Sequence, residues 1–311
     1  MRPLYPLAAA AIALMVPTLG GGSDISLASS VTRSKCSIPH LAAVDPVPTP
    51  APLVCMLPQG SPGDEWRFAA RPTTHPRELL LSFDDGPDLR GTPLILEELD
   101  RRGLKAIFFV TGWRLTGDLP DAVARRDLVR KIAMHGHLVA NHTMTHKNLC
   151  DNPTFQADEI DDASTIVALS TGVRPLLFRS PYGAVCRSLA AALEERDLPN
   201  IRWNLDPQEW KSDNDEAGVI RYLTDKLSHL EGRGILLMHD THMASVNALP
   251  AILDWIAREN HRAVREDRPP ITLVDYSVVV PDRPLPETGI ETIVSQLTLD
   301  AGASIGRLLR H

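Results

Sequence analysis

The chain has 311 residues, 43% of them hydrophobic and 23% charged, an ordinary globular composition with length for one large core and some tails. A net charge of -7 argues against phosphate-backbone binding as the main business, since that normally needs a basic face, and so against a nucleic-acid partner.

Residues 1–28 read as an export signal: Arg2 precedes an apolar segment from Leu7 to Val16, small residues follow, and Ser26-Leu27-Ala28 offers a cleavage tripeptide. Gly20-Gly21-Gly22 is a competing processing region. The apolar run falls short of the roughly 20 residues that span a bilayer. No other stretch is long and apolar enough to cross one, so the processed chain is expected to be secreted or in the cell envelope, periplasmic or extracellular, and monomeric. Residues 29–76 carry Pro39, Pro46, Pro48, Pro50, Pro52, Pro58 and Pro62 without a sustained period, the pattern of an extended linker or arm. Four cysteines fit an oxidising compartment and allow three connectivities; their placement makes Cys36–Cys55 and Cys150–Cys186 the expected pairs.

From Glu78 onward apolar runs alternate with helical patterns. The runs are Leu79–Phe83, Lys105–Val110, His137–Asn141, Leu176–Ser180, Ile201–Leu205, Gly234–Met238 and Ile271–Tyr276. The helices are Thr92–Arg102, Asp121–Met134, Phe155–Ser170, Arg187–Arg196, Asp215–Leu230 and Val246–Asn260. This order predicts an α/β chain, a somewhat short (β/α) barrel of about seven parallel strands. No Gly-x-Gly-x-x-Gly or phosphate-loop pattern follows any run, which removes the main support for a nucleotide fold.

Five of the runs end in residues capable of chemistry, and a barrel brings such endings to one face. The first ends in Asp84-Asp85-Gly86-Pro87, two carboxylates that point to opposite sides of an extended chain, one available to a cation and the other to protons. The third leads into Asn141-His142-Thr143-Met144-Thr145-His146, whose histidines at i, i+4 share one side of a helical turn. With a strand-end carboxylate they make a three-ligand metal site with open positions, as in catalytic zinc. His135 and His137, on the far side of the same run, are expected to be structural. The fourth run gives Arg179-Ser180-Pro181-Tyr182-Gly183, where Arg179 can pair with a carboxylate such as Asp84 and the Tyr182 N–H can face an oxyanion. The fifth leads to Asp206-Pro207-Gln208-Glu209-Trp210, an acid beside an indole suited to a sugar ring, and the sixth ends in Leu237-Met238-His239. His239 and Glu209 form a reasonable acid pair.

In that order, Ser82 to Pro87, His142 to His146, Arg179 to Gly183, Glu209-Trp210 and Leu237 to His239 resemble the five motifs of the polysaccharide deacetylase family, the NodB-homology group or carbohydrate esterase family 4. The likeness covers about Glu78 to Pro281 and implies that the (β/α) barrel is distorted and forms a catalytic domain over 77–282. It implies a divalent metal held by Asp85, His142 and His146, usually Zn2+, with Co2+, Ni2+ or Mn2+ as alternatives. It further implies Asp84 as general base, Arg179 as its orienter, Tyr182 N–H at the oxyanion, His239 as general acid beside Glu209, and Trp210 and Leu237 lining the acetyl pocket. The expected substrate is an N-acetylated polysaccharide such as peptidoglycan or chitin; an O-acetyl xylan esterase and a non-catalytic glycan-binding homologue are the alternatives. One departure stands out: the family usually has Asp where this chain has Glu209, and a methylene shifts a carboxylate by about a bond length. In the tail, 283–311, Leu285-Pro286-Glu287-Thr288-Gly289 matches a sortase signal, but Glu291, Gln296 and Asp300 interrupt the apolar stretch such a signal needs, so a coincidental loop is favoured.

Overall fold

The computed structural model describes residues 73–117, 120–211 and 214–280. The expectations for the export signal, the arm as far as residue 72, a Cys36–Cys55 bridge and the tail with its Leu285–Gly289 stretch lie outside the described residues.

Strand β1 (Arg77–Asp84) is buried from end to end because both of its faces are covered. Leu79, Leu81 and Phe83 point one way, into the larger core cluster; Leu80 points the other, into a smaller one. That smaller cluster draws Ile107 and Phe109 from β2 (Ile107–Val110), Ala140 from β3 (Leu138–Asn141), Leu177, Ile201, and Ile235 from β4 (Gly232–His239). A layer supplied in turn by successive strands is the filled interior of a small barrel. The larger cluster packs the outer face against helices, chiefly α1 (Gly91–Arg101), α2 (Pro120–Met134), α5 (Glu216–Ser228) and α6 (Met243–Arg265). Helix α5 shows the local logic: Asp215 caps it by accepting the Gly218 N–H at 2.8 Å, and Val219, Leu223 and Leu227 line one buried stripe. Two further helices, α3 (Gln156–Thr171) and α4 (Arg187–Glu194), complete the six expected from the sequence.

The strands run parallel in the order β3-β2-β1-β4. On the side of β1 away from β4, β2 pairs with its upper half, Ser82–Asp84, and β5 (Thr272–Val274) with its lower half, Glu78–Leu80. Beyond β3 the main-chain bonding passes from Asn141 to Leu177 and Arg179, each at 3.0 Å, then from Phe178 to Ile201 at 2.7 Å. It returns to β4 where Leu237 N–H meets Leu205 O at 2.9 Å. The expectation of about seven strands is corrected here: five runs form strands, and Leu176–Ser180 and Ile201–Leu205 form isolated bridges only. Pro175 and Pro181 bracket the first of these and Pro199 and Pro207 the second, and a residue without an N–H cannot extend a ladder.

His135 and His137 have structural environments, as expected. His137 is buried edge-on against Phe108, 5.5 Å between ring centroids, and burial drives its pKa down to about 4. His135 sits on Asp100 at 2.5 Å. Cys150 and Cys186 form the expected bridge, with Cα atoms 5.8 Å apart, tying the segment after β3 to the start of α4.

Candidate active site

Asp84 is the last residue of β1 and stands in register with His239, the last of β4. Beneath it Arg179 is fully buried, donating from Nη1 to Asp84 Oδ1 at 2.7 Å and to Ser82 Oγ at 2.8 Å, and from Nε to Ile201 O at 2.8 Å. The guanidinium lies 4.0 Å from the Phe109 ring centroid and 5.5 Å from that of Trp203. Burial lowers its pKa, and the attached carboxylate opposes that.

Past β1 the chain turns sharply. Asp85 has φ +71°, and so its carboxylate leaves the line of Asp84. Thr143 (φ +66°), His146 (φ +58°), Tyr182 (φ +60°) and Gln208 (φ +57°) adopt the same left-handed conformation, which side-chain-bearing residues rarely take. All five lie in the segments singled out from the sequence, where such strain is expected at a working site.

The histidine pair meets the carboxylate, but without the helical turn expected from its i, i+4 spacing: residues 142–148 form a loop. Side chains have outcompeted helical bonding there, since Asn141 Oδ1 accepts the Thr143 N–H at 2.7 Å and Thr143 Oγ1 the His146 N–H at 2.9 Å. Glu159 of α3 pins the loop through Thr145 N–H at 2.7 Å and Thr145 Oγ1 at 2.5 Å. Asp85 Oδ1 then lies 3.3 Å from His142 Nε2 and 3.1 Å from His146 Nε2. His142 Nδ1 donates to Arg179 O at 2.8 Å, which leaves the Nε2 lone pair facing the carboxylate.

Asp85 Oδ1 is buried and has no hydrogen-bond partner among the described residues, and the three ligand atoms lie within 4.8 Å of one another. Three electron-pair donors converging on one point fit a divalent cation. Burial raises the Asp85 pKa, but when the two imidazoles carry protons toward it their hydrogen bonds and charge outweigh burial and hold the carboxyl well below its usual range; a bound cation takes the place of those protons.

On the other side, His239 Nδ1 lies 2.9 Å from Glu209 Oε1, which also accepts the His239 main-chain N–H at 2.6 Å. Glu209 is buried, and the longer acid reaches the imidazole despite its extra methylene. Burial lowers the His239 pKa, yet the bond to Glu209 and its charge, with smaller help from Asp84 and Asp85, push it up to about 9. Glu209 is displaced downward, burial being outweighed by His239.

A pocket of about 430 Å³ takes in Asp84, Asp85, His142, His146 and His239, walled by Tyr182, Trp203, Trp210 and Leu237 with Asp206 among them. The volume suits a sugar-sized ligand. The Tyr182 ring packs edge-on against His146 at 4.8 Å, and its side chain is 71% exposed at the mouth. Of the ten residues singled out from the sequence, eight line this pocket, and Arg179 and Glu209 stand behind it, bonded to Asp84 and His239. Two pocket residues were missed. Trp203 reads as core within an apolar run; Asp206 stands at a run's end, so the strand-end rule that found the others points to it as well.

A carboxylate and two imidazoles presented at the strand ends of an α/β barrel, with a second carboxylate and a partnered histidine alongside, define a metal-binding class of site. The polysaccharide deacetylase family profile matches residues 71–201. A chitooligosaccharide deacetylase of Bradyrhizobium sp. is 32% identical over 167 residues, 53% of this chain and 71% of its own length. The chain belongs to the polysaccharide deacetylase family. The peptidoglycan-N-acetylglucosamine deacetylase PgdA of Listeria monocytogenes is 33% identical over 193 residues, 61% of this chain, which spans only 38% of that protein. Among solved structures, a family 4 carbohydrate esterase from Streptomyces lividans in complex with acetate superposes with a TM-score of 0.52 at 26% identity, covering 60% of this chain and 90% of the other.

Proposed function

We propose that this protein is a metal-dependent hydrolase that removes N-acetyl groups from a GlcNAc-type polysaccharide of the cell wall, or a similar polymer, and releases acetate. The observation that carries the reading is the convergence of Asp85, His142 and His146 between two partnered proton-transfer groups, Asp84 on Arg179 and His239 on Glu209, in one pocket. The N-acetylated glycans named for the relatives favour an amide over the ester of acetyl xylan. Glu209, the one hint of a non-catalytic homologue, is in contact with His239.

Asp85, His142 and His146 would hold the ion, with Zn2+ the first candidate. When bound, it supplies Lewis acidity toward the acetamide carbonyl and lowers the pKa of water. Asp84 takes a proton from the attacking water, and the buried Arg179, bonded to its Oδ1, keeps that carboxylate correctly turned. The Tyr182 N–H stands in a left-handed turn and donates to the oxyanion as the carbonyl carbon becomes tetrahedral. His239, protonated at neutral pH by virtue of its raised pKa, delivers a proton to the sugar nitrogen as the C–N bond breaks. Trp210 and Leu237 border the acetyl methyl, leaving acetate and a free amine.

Residues 77–282 form the catalytic domain in this reading, and the chain is exported as a monomer to the envelope or beyond. No described helix is long and apolar enough to cross a membrane. The test is acetate release from chitin oligomers, peptidoglycan and acetyl xylan by the full chain loaded with Zn2+, with and without a chelator. Chelator-sensitive release from an N-acetylated glycan supports the reading. Release from acetyl xylan alone, or from none of the three, refutes it.

A further inference from the structure

Ser245 belongs to none of the segments that the sequence marks for chemistry, yet it is completely buried in the first turn of α6. Its Oγ donates to Glu209 Oε1 at 2.5 Å and accepts the His239 main-chain N–H at 3.4 Å. Its own N–H is bonded to His242 O at 3.0 Å, and His242 N–H to His239 O at 3.2 Å, so a short ladder of main-chain bonds fixes the hydroxyl relative to His239.

Glu209 needs such a hold. Its Oε2 is buried without a partner, so Oε1 receives every side-chain restraint the carboxylate has among the described residues. Two of those donors are His239's own N–H groups. Ser245 is the third, and it does not belong to the residue being oriented. The terminal torsion of a glutamate is broad, so a head group held only by the group it must orient can rotate away with it. A second anchor point removes that freedom.

We propose that Ser245 is a positioning residue: its hydroxyl clamps Glu209 so that the carboxylate faces His239 Nδ1 and Nε2 of the ring is presented to the pocket. The inference rests on the reading of His239 as proton donor to the leaving nitrogen. The experiment is a double-mutant cycle on the Zn2+-loaded full chain, with kcat and KM for an N-acetylated chitin oligomer measured in wild type, Ser245→Ala, Glu209→Ala and the double variant, and metal content in each. Ser245→Ala is expected to lower kcat about tenfold, the rate equivalent of one charge-assisted hydrogen bond, with KM and bound metal unchanged. In the Glu209→Ala background the same change should cost less than about twofold, because the group it acts through is gone. A loss that multiplies equally on both backgrounds, or a Ser245→Ala kcat equal to wild type, would overturn the clamp. Should Ser245→Ala fail to fold, Ser245→Cys, similar in volume with a weaker donor, takes its place under the same two criteria. An inactive wild type would overturn the deacetylase reading and this inference with it, whereas an active wild type beside an unaffected Ser245 variant overturns this inference alone.

Discussion

Replacing Glu209 by Gln removes a charge and little else, and its consequence can be worked out from the His239 environment. An ordinary imidazole titrates near 6.5; that of His239 is pushed up to about 9, worth about 3 kcal/mol in favour of the protonated ring. Burial acts in the opposite direction, so the rise comes from Glu209 first and from Asp84 and Asp85 only after it. A proton donor must be protonated to work, and the alkaline limb of kcat/KM follows its pKa in the free enzyme. Without the carboxylate, burial works against only the smaller pulls of Asp84 and Asp85; with the ring back near the ordinary value of about 6.5, the protonated fraction at pH 8 falls from about nine-tenths to about 3%. Glu209→Gln should accordingly lose about 30-fold in activity at pH 8, with its alkaline limb moved down by at least two pH units and much of the activity retained near pH 6. The assay is acetate release from an N-acetylated oligosaccharide between pH 5 and 10. An alkaline limb in the variant that coincides with wild type would refute the pairing as the source of the proton donor's strength.

The proton-accepting carboxylate and the metal ligands should separate functionally. Asp84→Asn is expected to lower turnover by at least about a thousandfold while retaining bound metal, and His142→Ala to lose both, as read by acetate release and metal analysis of the purified variants. Because Arg179 and Asp84 are both buried, Arg179→Ala leaves a carboxylate without its counterion and should destabilise the fold by about 3–5 kcal/mol in denaturant titrations; an unchanged midpoint would contradict the burial. The Cys150–Cys186 bridge closes a loop with a sequence separation of 36, and a double Ser variant should unfold at lower denaturant, by about 3–4 kcal/mol on the chain-entropy estimate.

Hydrophobic periodicity made most of this fold legible. Each of the six helices lies within about three residues of its expected start, because runs such as Val219, Leu223 and Leu227 repeat at the helical period. The strands next to β1 were legible as apolar runs. The two bridged runs were over-read, since apolar content survives where prolines cut the ladder short. At the site, strand-end position carried the information: Asp84, His239 and Arg179 each follow an apolar run, and parallel strands bring such ends together. The loop geometry of His142 and His146 was hidden, because the spacing i, i+4 is satisfied equally by a helical turn and by a chain folded back on Asn141 and Thr143. Trp203 and Ser245 gave no local signal. Their roles depend on what lies across the barrel rim, which one-dimensional spacing does not contain.

The register that sets Asp84 beside His239 has a consequence for how such a catalyst can diversify. Asp84 and His239, the proposed proton acceptor and donor, sit on neighbouring, hydrogen-bonded threads of one sheet, so the spacing of their backbones is a property of the scaffold's weave, near the 4.8 Å repeat between strands, and owes little to the surrounding coils. Those coils are free to lengthen, shorten or exchange their aromatic faces to suit a different polymer while the chemistry beneath them keeps its gauge. A slip of one residue between the two threads would turn one member of the pair to the opposite side, a change that no remodelling of the rim could repair.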